Sequence, residues 1–316
     1  MAVPSNTTQA VGRIGIREDL EDTIYNISPM DTPFMSAIGR GKCDNTFTEW
    51  QIDTLVAANG ANKTIQGDDL ANESRPATTR VGTYTQIMKK VVGTSTTAQA
   101  VKTAGRANEH GYQIAKAGKE LKRDMETRFC GNYASVAPTS SVPGETAGAL
   151  AWMTTNTSRG ATGANGGYSA GVVAAATNGT QRSITEALLK GQIAAAWNAG
   201  GEPTMAIGSL TQKQAMAAFA GLAQARRETG NKKLEIIAGA DVYVSDVGEV
   251  RLVPDRFCSV RDVLVIDPSL WEVAVLDPMQ TKKLATTGLA DREALYTECA
   301  LKCHNESGNA VLADLT

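Results

Sequence analysis

The chain has 316 residues, and its 31 Lys and Arg side chains nearly balance its 33 Asp and Glu side chains. This balance argues against a dedicated nucleic-acid binder, which concentrates excess positive charge on one face. No run of about 18 apolar residues occurs, so the sequence predicts no membrane span, and the polar N-terminus lacks the apolar core of a secretory signal. Five scattered cysteines fit free thiols in a reducing cytoplasm.

Polar residues without usable periodicity open the chain, and residues 1–16 are predicted to form an extended arm. A short helix is predicted at 17–26, because acidic side chains near its start interact favourably with the helix dipole. Residues 28–34 contain two prolines and are predicted to form a fixed, extended turn.

Two strand-like stretches, 45–52 and 80–92, flank a long polar segment. Both alternate with the period of a strand. The 27 residues at 53–79 are too many for a compact turn, and such connections are usually functional or disordered. We therefore predict a hairpin arm that projects from the body. One face of the second strand is predicted to carry Val81, Thr83, Thr85, Ile87 and Lys89.

The strongest helical pattern runs from residue 103 to residue 129, with no proline and an apolar stripe at helical spacing. The stripe comprises Ile114, Leu121, Met125 and Phe129. Charged residues such as Glu126 fill much of the remainder. This helix would be roughly 40 Å long at 1.5 Å per residue, and we expect it to pack one face on a sheet.

The second half of the chain mixes short helices with many strands. Residues 134–182 are rich in small and polar residues and are predicted to be an inserted, largely irregular surface segment. A helix is predicted at 184–198, with Ser183 as N-cap, Glu186 as its capping-box partner, and Gly200 and Gly201 as its stop. The other predicted elements are a strand at 204–207, a helix at 211–222, a hairpin at 242–253, and strands at 263–266, 271–276, 282–284, 292–302 and 310–312. The fold class is mixed α+β.

Seven segments cover nearly the whole chain in a fixed order. They are REDLEDTIYNISPMDTPFMSAIGRGK (17–42), TEWQIDTL (48–55), RVGTYTQI (80–87), GKELKRDMETRF (118–129), AGALAWMTTN (147–156), VYVSDVGEVRLVPDRF (242–257) and VLVIDPSLWEVAVLDP (263–278). In this order the chain resembles the HK97-fold major capsid proteins of tailed phages, and among them the group typified by the major head protein of phage SU10.

The resemblance implies an HK97-type capsid fold with five parts. Residues 1–41 would form the N-terminal arm, 42–95 an extended loop that overlaps the neighbouring subunit, and 96–182 a peripheral domain with a spine helix and the inserted segment. Residues 183–280 would form the axial domain near the capsomer centre. Residues 281–316 would be return strands of the peripheral domain.

A capsid protein of this kind would self-assemble into hexamers and pentamers of an icosahedral head shell around double-stranded DNA. The implied partners are a scaffolding protein, a portal at one vertex, a decoration or cement protein, and DNA in non-specific contact. The implied location is the virion, after assembly in the bacterial cytoplasm. Some members lose a long N-terminal pro-segment; this chain reaches the arm quickly, so we expect no large cleavage. The alternative is an encapsulin-like nanocompartment shell of the same fold.

The candidate interface residues are contact-makers on the arms and the long helix. Three large aromatic side chains, Phe34, Trp50 and Tyr84, have little predicted core beneath them and should bury against another subunit. Glu120 and Arg123 are expected to pair within the helix, with a neighbour's arm as the alternative partner. The lysines of the loop are expected to be solvated, not crosslinked. The full set is Arg17, Glu18, Asp19, Phe34, Trp50, Lys63, Tyr84, Lys89, Lys90, Glu120 and Arg123.

The sequence predicts no enzyme, cofactor or metal site. His110 and His304 are the two histidines, and neither lies in a nucleophile motif. Cys299 and Cys303 lie close to His304, but no second Cys/His pair completes four metal ligands. We therefore expect these two cysteines to be buried thiols on a strand.

Overall fold

The computed structural model describes residues 31–70, 72–101, 108–219, 241–286 and 288–316. Its α-helices are α1 (Pro33–Ala37), α2 (Thr96–Ala100), α3 (Glu109–Cys130), α4 (Ala149–Trp152), α5 (Glu186–Asn198) and α6 (Leu210–Ala217). Its strands are β1 (Gly39–Lys42), β2 (Phe47–Ile52), β3 (Thr79–Tyr84), β4 (Gln86–Ser95), β5 (Thr157–Ser158), β6 (Gly167–Ser169), β7 (Val172–Ala174), β8 (Met205–Gly208), β9 (Val242–Val244), β10 (Glu249–Pro254), β11 (Val263–Ile266), β12 (Trp271–Lys283), β13 (Ala290–Cys303) and β14 (Ala310–Leu312). The predicted helix at 17–26 lies outside the described residues.

A four-stranded sheet, in the order β1-β12-β13-β4, carries the long helix. β1 runs parallel to β12, and β13 pairs antiparallel with both β12 and β4. α3 packs across β4 and β13. Buried side chains from the sheet, such as Val273, Leu295 and Leu301, join those of α3 in the larger hydrophobic core. Sheet and helix thus form a two-layer unit.

The long helix predicted from residue 103 corresponds to α3, and residues 103–107 of the prediction lie outside the described residues. α3 begins after Asn108, whose side chain accepts a hydrogen bond from the Gly111 N–H and so caps the helix. Its 22 residues give a length of about 33 Å. Leu121, Met125 and Phe129 are buried along one stripe as predicted.

Thr85 separates two strands that we predicted as one. Its N–H donates to the Thr46 carbonyl at 2.8 Å, and the side-chain alternation shifts there. Val81 is buried before the break, whereas after it Met88 is buried and Ile87 is 63% exposed. A one-residue offset sends every later side chain to the opposite face, so the single face predicted from 81 to 89 is wrong beyond Thr85.

The second large sheet has six strands, in the order β5-β14-β11-β8-β10-β9. α5 packs near β14 and α6 near β10. The predicted strands 263–266 and 310–312 match β11 and β14. The predicted hairpin is confirmed, since β9 and β10 pair antiparallel and their turn closes between Ser245 and Gly248. The second hydrophobic core includes Leu189, Ile193, Met216, Tyr243, Leu252 and Leu312.

The start of α5 corrects one prediction and its end confirms another. Thr185, not Ser183, is the N-cap, because its Oγ1 accepts from the Leu188 N–H at 3.3 Å. Ser183 lies two residues too early to reach the free N–H groups of the first turn. The helix stops at Gly200 and Gly201 as predicted, with Gly200 at a φ of +92° that glycine adopts without strain.

Residues 134–182 are largely irregular as predicted, but residues 146–153 are buried and do not belong to a surface segment. α4 is fully buried, and Met153 and Val173 are 0% exposed. β5 pairs with β14 and so extends the six-stranded sheet. The small residues that suggested irregularity also allow close backbone approach: an added Cβ on Gly148 would lie 2.0 Å from the Gly131 carbonyl oxygen.

Gly148→Ala is therefore expected to lower the free energy of unfolding by about 1–3 kcal/mol, because overpacking forces the backbone apart. The matched control is Gly191→Ala inside α5, where an added Cβ meets nothing within 4 Å and alanine stabilises a helix by about 1 kcal/mol. Urea unfolding of both variants checks this. Equal stability of Gly148→Ala and wild type would contradict the close approach.

The sheets do not divide the chain where the predicted domain boundary lies. Residue 280 falls inside β12, which continues to Lys283 with irregular pairing near Asp277. The predicted separate strand at 282–284 is thus the end of β12. β14 pairs with β11, so residues 310–312 return to the six-stranded sheet and not to the sheet that carries α3. Residues 281–316 therefore contribute strands to both sheets.

Candidate intersubunit surface

The hairpin of β2 and β3 carries a long connection with large apolar side chains in solvent. The strands pair antiparallel from Phe47 opposite Tyr84 to Ile52 opposite Thr79. Residues 53–78, here the extended-loop tip, contain no helix or strand in their described part. The exposed fractions of its large apolar side chains are Leu55 96%, Val56 62%, Ile65 77% and Leu70 75%. Side chains of this size and exposure on one segment make it the candidate contact surface of this chain.

The base of the hairpin is held by aromatic contacts within the chain. Trp50 lies 5.5 Å from Trp152 between ring centroids, and the Lys302 ammonium lies 5.5 Å from the Trp50 ring. Tyr84 packs on Phe47 at 4.5 Å. Trp50 and Tyr84 are therefore half-buried in their own chain. Only the exposed part of each ring is available for contact with a neighbouring subunit.

Phe34 is 0% exposed within its own chain, so the prediction that it buries against another subunit is wrong. It stands edge-on to Trp271 at 5.9 Å. The predicted turn at 28–34 is also corrected where described, because Pro33 begins α1. Proline suits a first helical position, where its missing N–H is not needed.

Glu126 receives the free N–H groups at the start of α1, although its charge suggested a solvent position. The Phe34 N–H donates to Oε1 at 2.6 Å and the Met35 N–H to Oε2 at 3.0 Å. Burial, reinforced by the neighbouring Asp255, raises the pKa of Glu126 to about 7 despite these N–H donors. The spine helix thus anchors the first described helix of the chain.

The charged candidates occupy different settings. Lys63 and Lys89 are exposed. Lys90 is paired with Asp124 on α3 at 2.6 Å, which corrects the expectation that it is simply solvated. A cavity of about 610 Å³ lies between β4 and α3 beside this pair.

Glu120 and Arg123 do not pair with each other in the described part of the chain, contrary to our prediction. Glu120 lies 3.9 Å from Lys116, one turn earlier. The Arg123 guanidinium stacks over the Phe257 ring at 5.4 Å. Arg123 therefore joins α3 to the segment that follows β10. Arg17, Glu18 and Asp19 lie outside the described residues.

The prediction for the cysteines near the C-terminus is confirmed. Cys299 and Cys303 are free and buried on β13, and burial raises the pKa of Cys299 to about 12. His304 instead approaches Glu272 at 3.2 Å.

Sequence reasoning missed two groups of residues. The four apolar side chains of the extended-loop tip carried a usable signal, because large apolar residues are few in this mostly polar stretch. The second group, Cys130, Asp255 and Cys258, comes together inside the protein. Its members are up to 128 residues apart, so no local spacing could have shown it.

The sequence profile of the SU10 major capsid protein family matches residues 3–316. The chain belongs to this family. Membership confirms the resemblance on which the HK97-type fold was expected. The description of this family is that of a structural protein. Among the described residues, no helix is both long and apolar enough to cross a membrane.

Individual members and structures agree with the family. The chain is 39% identical over 100 residues to the major capsid protein of Escherichia phage Phieco32, a match that spans 32% of this chain and 28% of that relative. A chain of the cyanophage A-1(L) capsid asymmetric unit is similar in fold, with a TM-score of 0.67, 11% identity, and 95% and 97% of the two chains covered. The SrpI encapsulin from Synechococcus elongatus matches with a TM-score of 0.54, 12% identity and 92% of each chain. At these identities the structural matches show the fold alone, and that fold is the predicted HK97 type.

Proposed function

We propose that this member of the SU10 major capsid protein family builds the closed head shell of a phage. Copies join as hexamers and pentamers in an icosahedral arrangement around double-stranded DNA. The observation that carries the proposal is the extended-loop tip, which presents four large apolar side chains with no core of its own beneath them. Such a surface is stable in water once a second copy covers it.

The two sheets suggest how the subunit divides its work. The four-stranded sheet with α3 would form the peripheral domain, and the six-stranded sheet with α5 and α6 the axial domain at the capsomer centre. The extended loop leaves the peripheral side and would lie over the neighbouring subunit. Many weak contacts of this kind, repeated around a closed shell, add up to a stable particle.

The partners follow from the same role. A scaffolding protein would guide assembly in the bacterial cytoplasm, a portal would replace one capsomer, and a decoration protein would attach outside. The near balance of acidic and basic residues suits a wall that touches packed DNA without specific recognition. An encapsulin-like shell is the competing function, and it differs in enclosing cargo protein instead of DNA.

The variant Leu55→Ser tests the proposed contact between the extended-loop tip and a neighbouring subunit. Burying one leucine contributes about 2 kcal/mol. The association constant of each contact between two subunits should therefore fall roughly 30-fold, and the yield of closed particles should fall with it. The control is Val142→Ser, since Val142 is also exposed, at 42%, but lies on the body. Negative-stain microscopy and sedimentation of the expressed chains provide the measurement.

We expect wild type and Val142→Ser to form shells or capsomers, and Leu55→Ser to remain as smaller species with unchanged circular dichroism. A wild-type chain that stays a stable monomer would overturn the shell function. If Leu55→Ser forms shells at the wild-type yield, the extended-loop tip is not the contact that joins the subunits. Particles from infected cells that hold cargo protein and no DNA would favour the encapsulin-like alternative.

A further inference from the structure

A buried cluster of two thiols and two carboxyl groups lies where α3 meets the end of β10. Cys130 ends α3, and Asp255 and Cys258 follow β10. One ligand atom from each of these three residues lies within 4.8 Å of the other two, and all three side chains are buried. Glu126 lies one helical turn before Cys130, so its carboxyl faces the same space.

The spacing of the donor atoms suits a tetrahedral cation. The Sγ atoms of Cys130 and Cys258 lie 3.5 Å and 3.3 Å from Oδ2 of Asp255. With metal–sulfur bonds of 2.3 Å and metal–oxygen bonds of 2.0 Å, tetrahedral geometry places sulfur and oxygen ligands about 3.5 Å apart. Both sulfur–oxygen separations therefore already fit those around a bound ion.

The charge balance of the cluster also favours a cation. Asp255 is 2% and Glu126 0% exposed, and in the described part of the chain no lysine or arginine forms an ion pair with either. The Cys130 and Cys258 thiols are buried beside these two carboxyl groups. A cation would compensate the charge of the buried carboxylates, which is costly to leave unpaired.

We propose that Cys130, Asp255 and Cys258 form a structural site for a thiophilic divalent cation of the zinc class. Two sulfurs and one carboxylate oxygen suit Zn²⁺, and the Glu126 carboxyl, one helical turn before Cys130, is the candidate for the fourth ligand. Binding transfers no electrons: each thiol releases its proton to water and donates a sulfur lone pair to the ion. The ion would clamp the spine helix to the six-stranded sheet.

The test loads the purified full-length chain with Zn²⁺ or Co²⁺ and measures bound metal by mass spectrometry. Cys258→Ala removes one ligand, and Cys299→Ala is the matched control because it removes a buried free thiol on β13. We expect one ion per chain in wild type and in Cys299→Ala, with a sulfur-to-cobalt charge-transfer band for Co²⁺. Cys258→Ala should lose the band and at least nine-tenths of the metal.

If Cys258→Ala does not fold, thermal unfolding of the wild-type protein tests the site instead. Wild-type protein loaded with Zn²⁺ should lose thermal stability on adding a chelator, and unloaded protein should not change. Wild type without metal or band, equal metal in Cys258→Ala and wild type, or a disulfide between Cys130 and Cys258 in protein purified under reducing conditions would each overturn the site.

Discussion

Asp314→Ala should lower the free energy of unfolding by about 2–4 kcal/mol, because two backbone N–H groups and the partly exposed Arg261 guanidinium lose their acceptor and alanine must adopt a left-handed backbone conformation. Asp314 is 0% exposed. Its carboxylate accepts hydrogen bonds from the Gly179 N–H at 2.7 Å, the Gly160 N–H at 3.1 Å and the Arg261 guanidinium at 3.0 Å. One side chain thereby ties the inserted segment to the end of the chain. Urea unfolding of wild type and variant gives the difference.

The matched control is Asp314→Asn. Asp314 has a φ of +60°, a left-handed conformation that asparagine tolerates and alanine resists. Asn should therefore cost less than Ala, since it keeps the backbone preference and one acceptor oxygen while losing the charge. Equal costs for the two variants would contradict the role of backbone conformation. A cost below about 1 kcal/mol for Ala would contradict the buried ion pair.

The same site has a defined pH dependence. Burial alone would raise the pKa of Asp314, but the N–H groups of Gly179 and Gly160 and the Arg261 guanidinium hold it below its ordinary value of 3.8. A depressed carboxyl pKa stabilises the fold above the unfolded-state pKa, and this contribution disappears as the pH falls through the folded-state pKa. The stability gap between wild type and Asp314→Asn should therefore narrow under acid conditions below 3.8.

The sequence was most informative where a short apolar run ended in residues that break strands. β11 and β14 matched their predicted bounds because an Asp follows each run within two residues, and such residues punctuate strands. The break at Thr85 gave no such signal, because Thr is compatible with a strand. Its effect depends on a hydrogen bond to Thr46, which only the folded hairpin brings near.

The candidate site was predictable in outline and not in its residues. A 27-residue polar connection between two strands indicated a projecting loop, and the loop is present. An aromatic side chain is available to a neighbouring subunit only if its own chain does not cover it. Trp50 is partly covered by Trp152, which belongs to the segment predicted to be irregular, so the sequence did not show this contact. The prediction for Glu126 failed for a related reason. Its charge suggested a solvent-facing position on the helix, but α1 covers it and donates two N–H groups to its carboxylate.

Phe34→Ala should lower the free energy of unfolding by about 3–5 kcal/mol, the usual cost of truncating a buried phenylalanine. Phe34 is fully buried, its ring stands edge-on to Trp271, and its N–H holds the Glu126 carboxylate. Loss of the ring leaves a cavity between α1, α3 and β12 and weakens the anchor of the arm. Urea unfolding measures the loss, and Leu289→Ala, at a residue 83% exposed, should change stability by less than about 0.5 kcal/mol.

Limited proteolysis separates loosening of the arm from a general loss of stability. If Phe34 anchors α1, Phe34→Ala should be cut near residues 31–42 before the body is digested. Gly148→Ala serves as the comparison, because it should weaken the junction of α3 and α4 while leaving the Phe34–Trp271 and Phe34–Glu126 contacts intact. Cleavage in the same order in both variants would contradict a local anchor. Early cleavage confined to Phe34→Ala would show that α1 separates from α3 before the body unfolds, so that Glu126 loses the two N–H donors that balance its buried carboxylate.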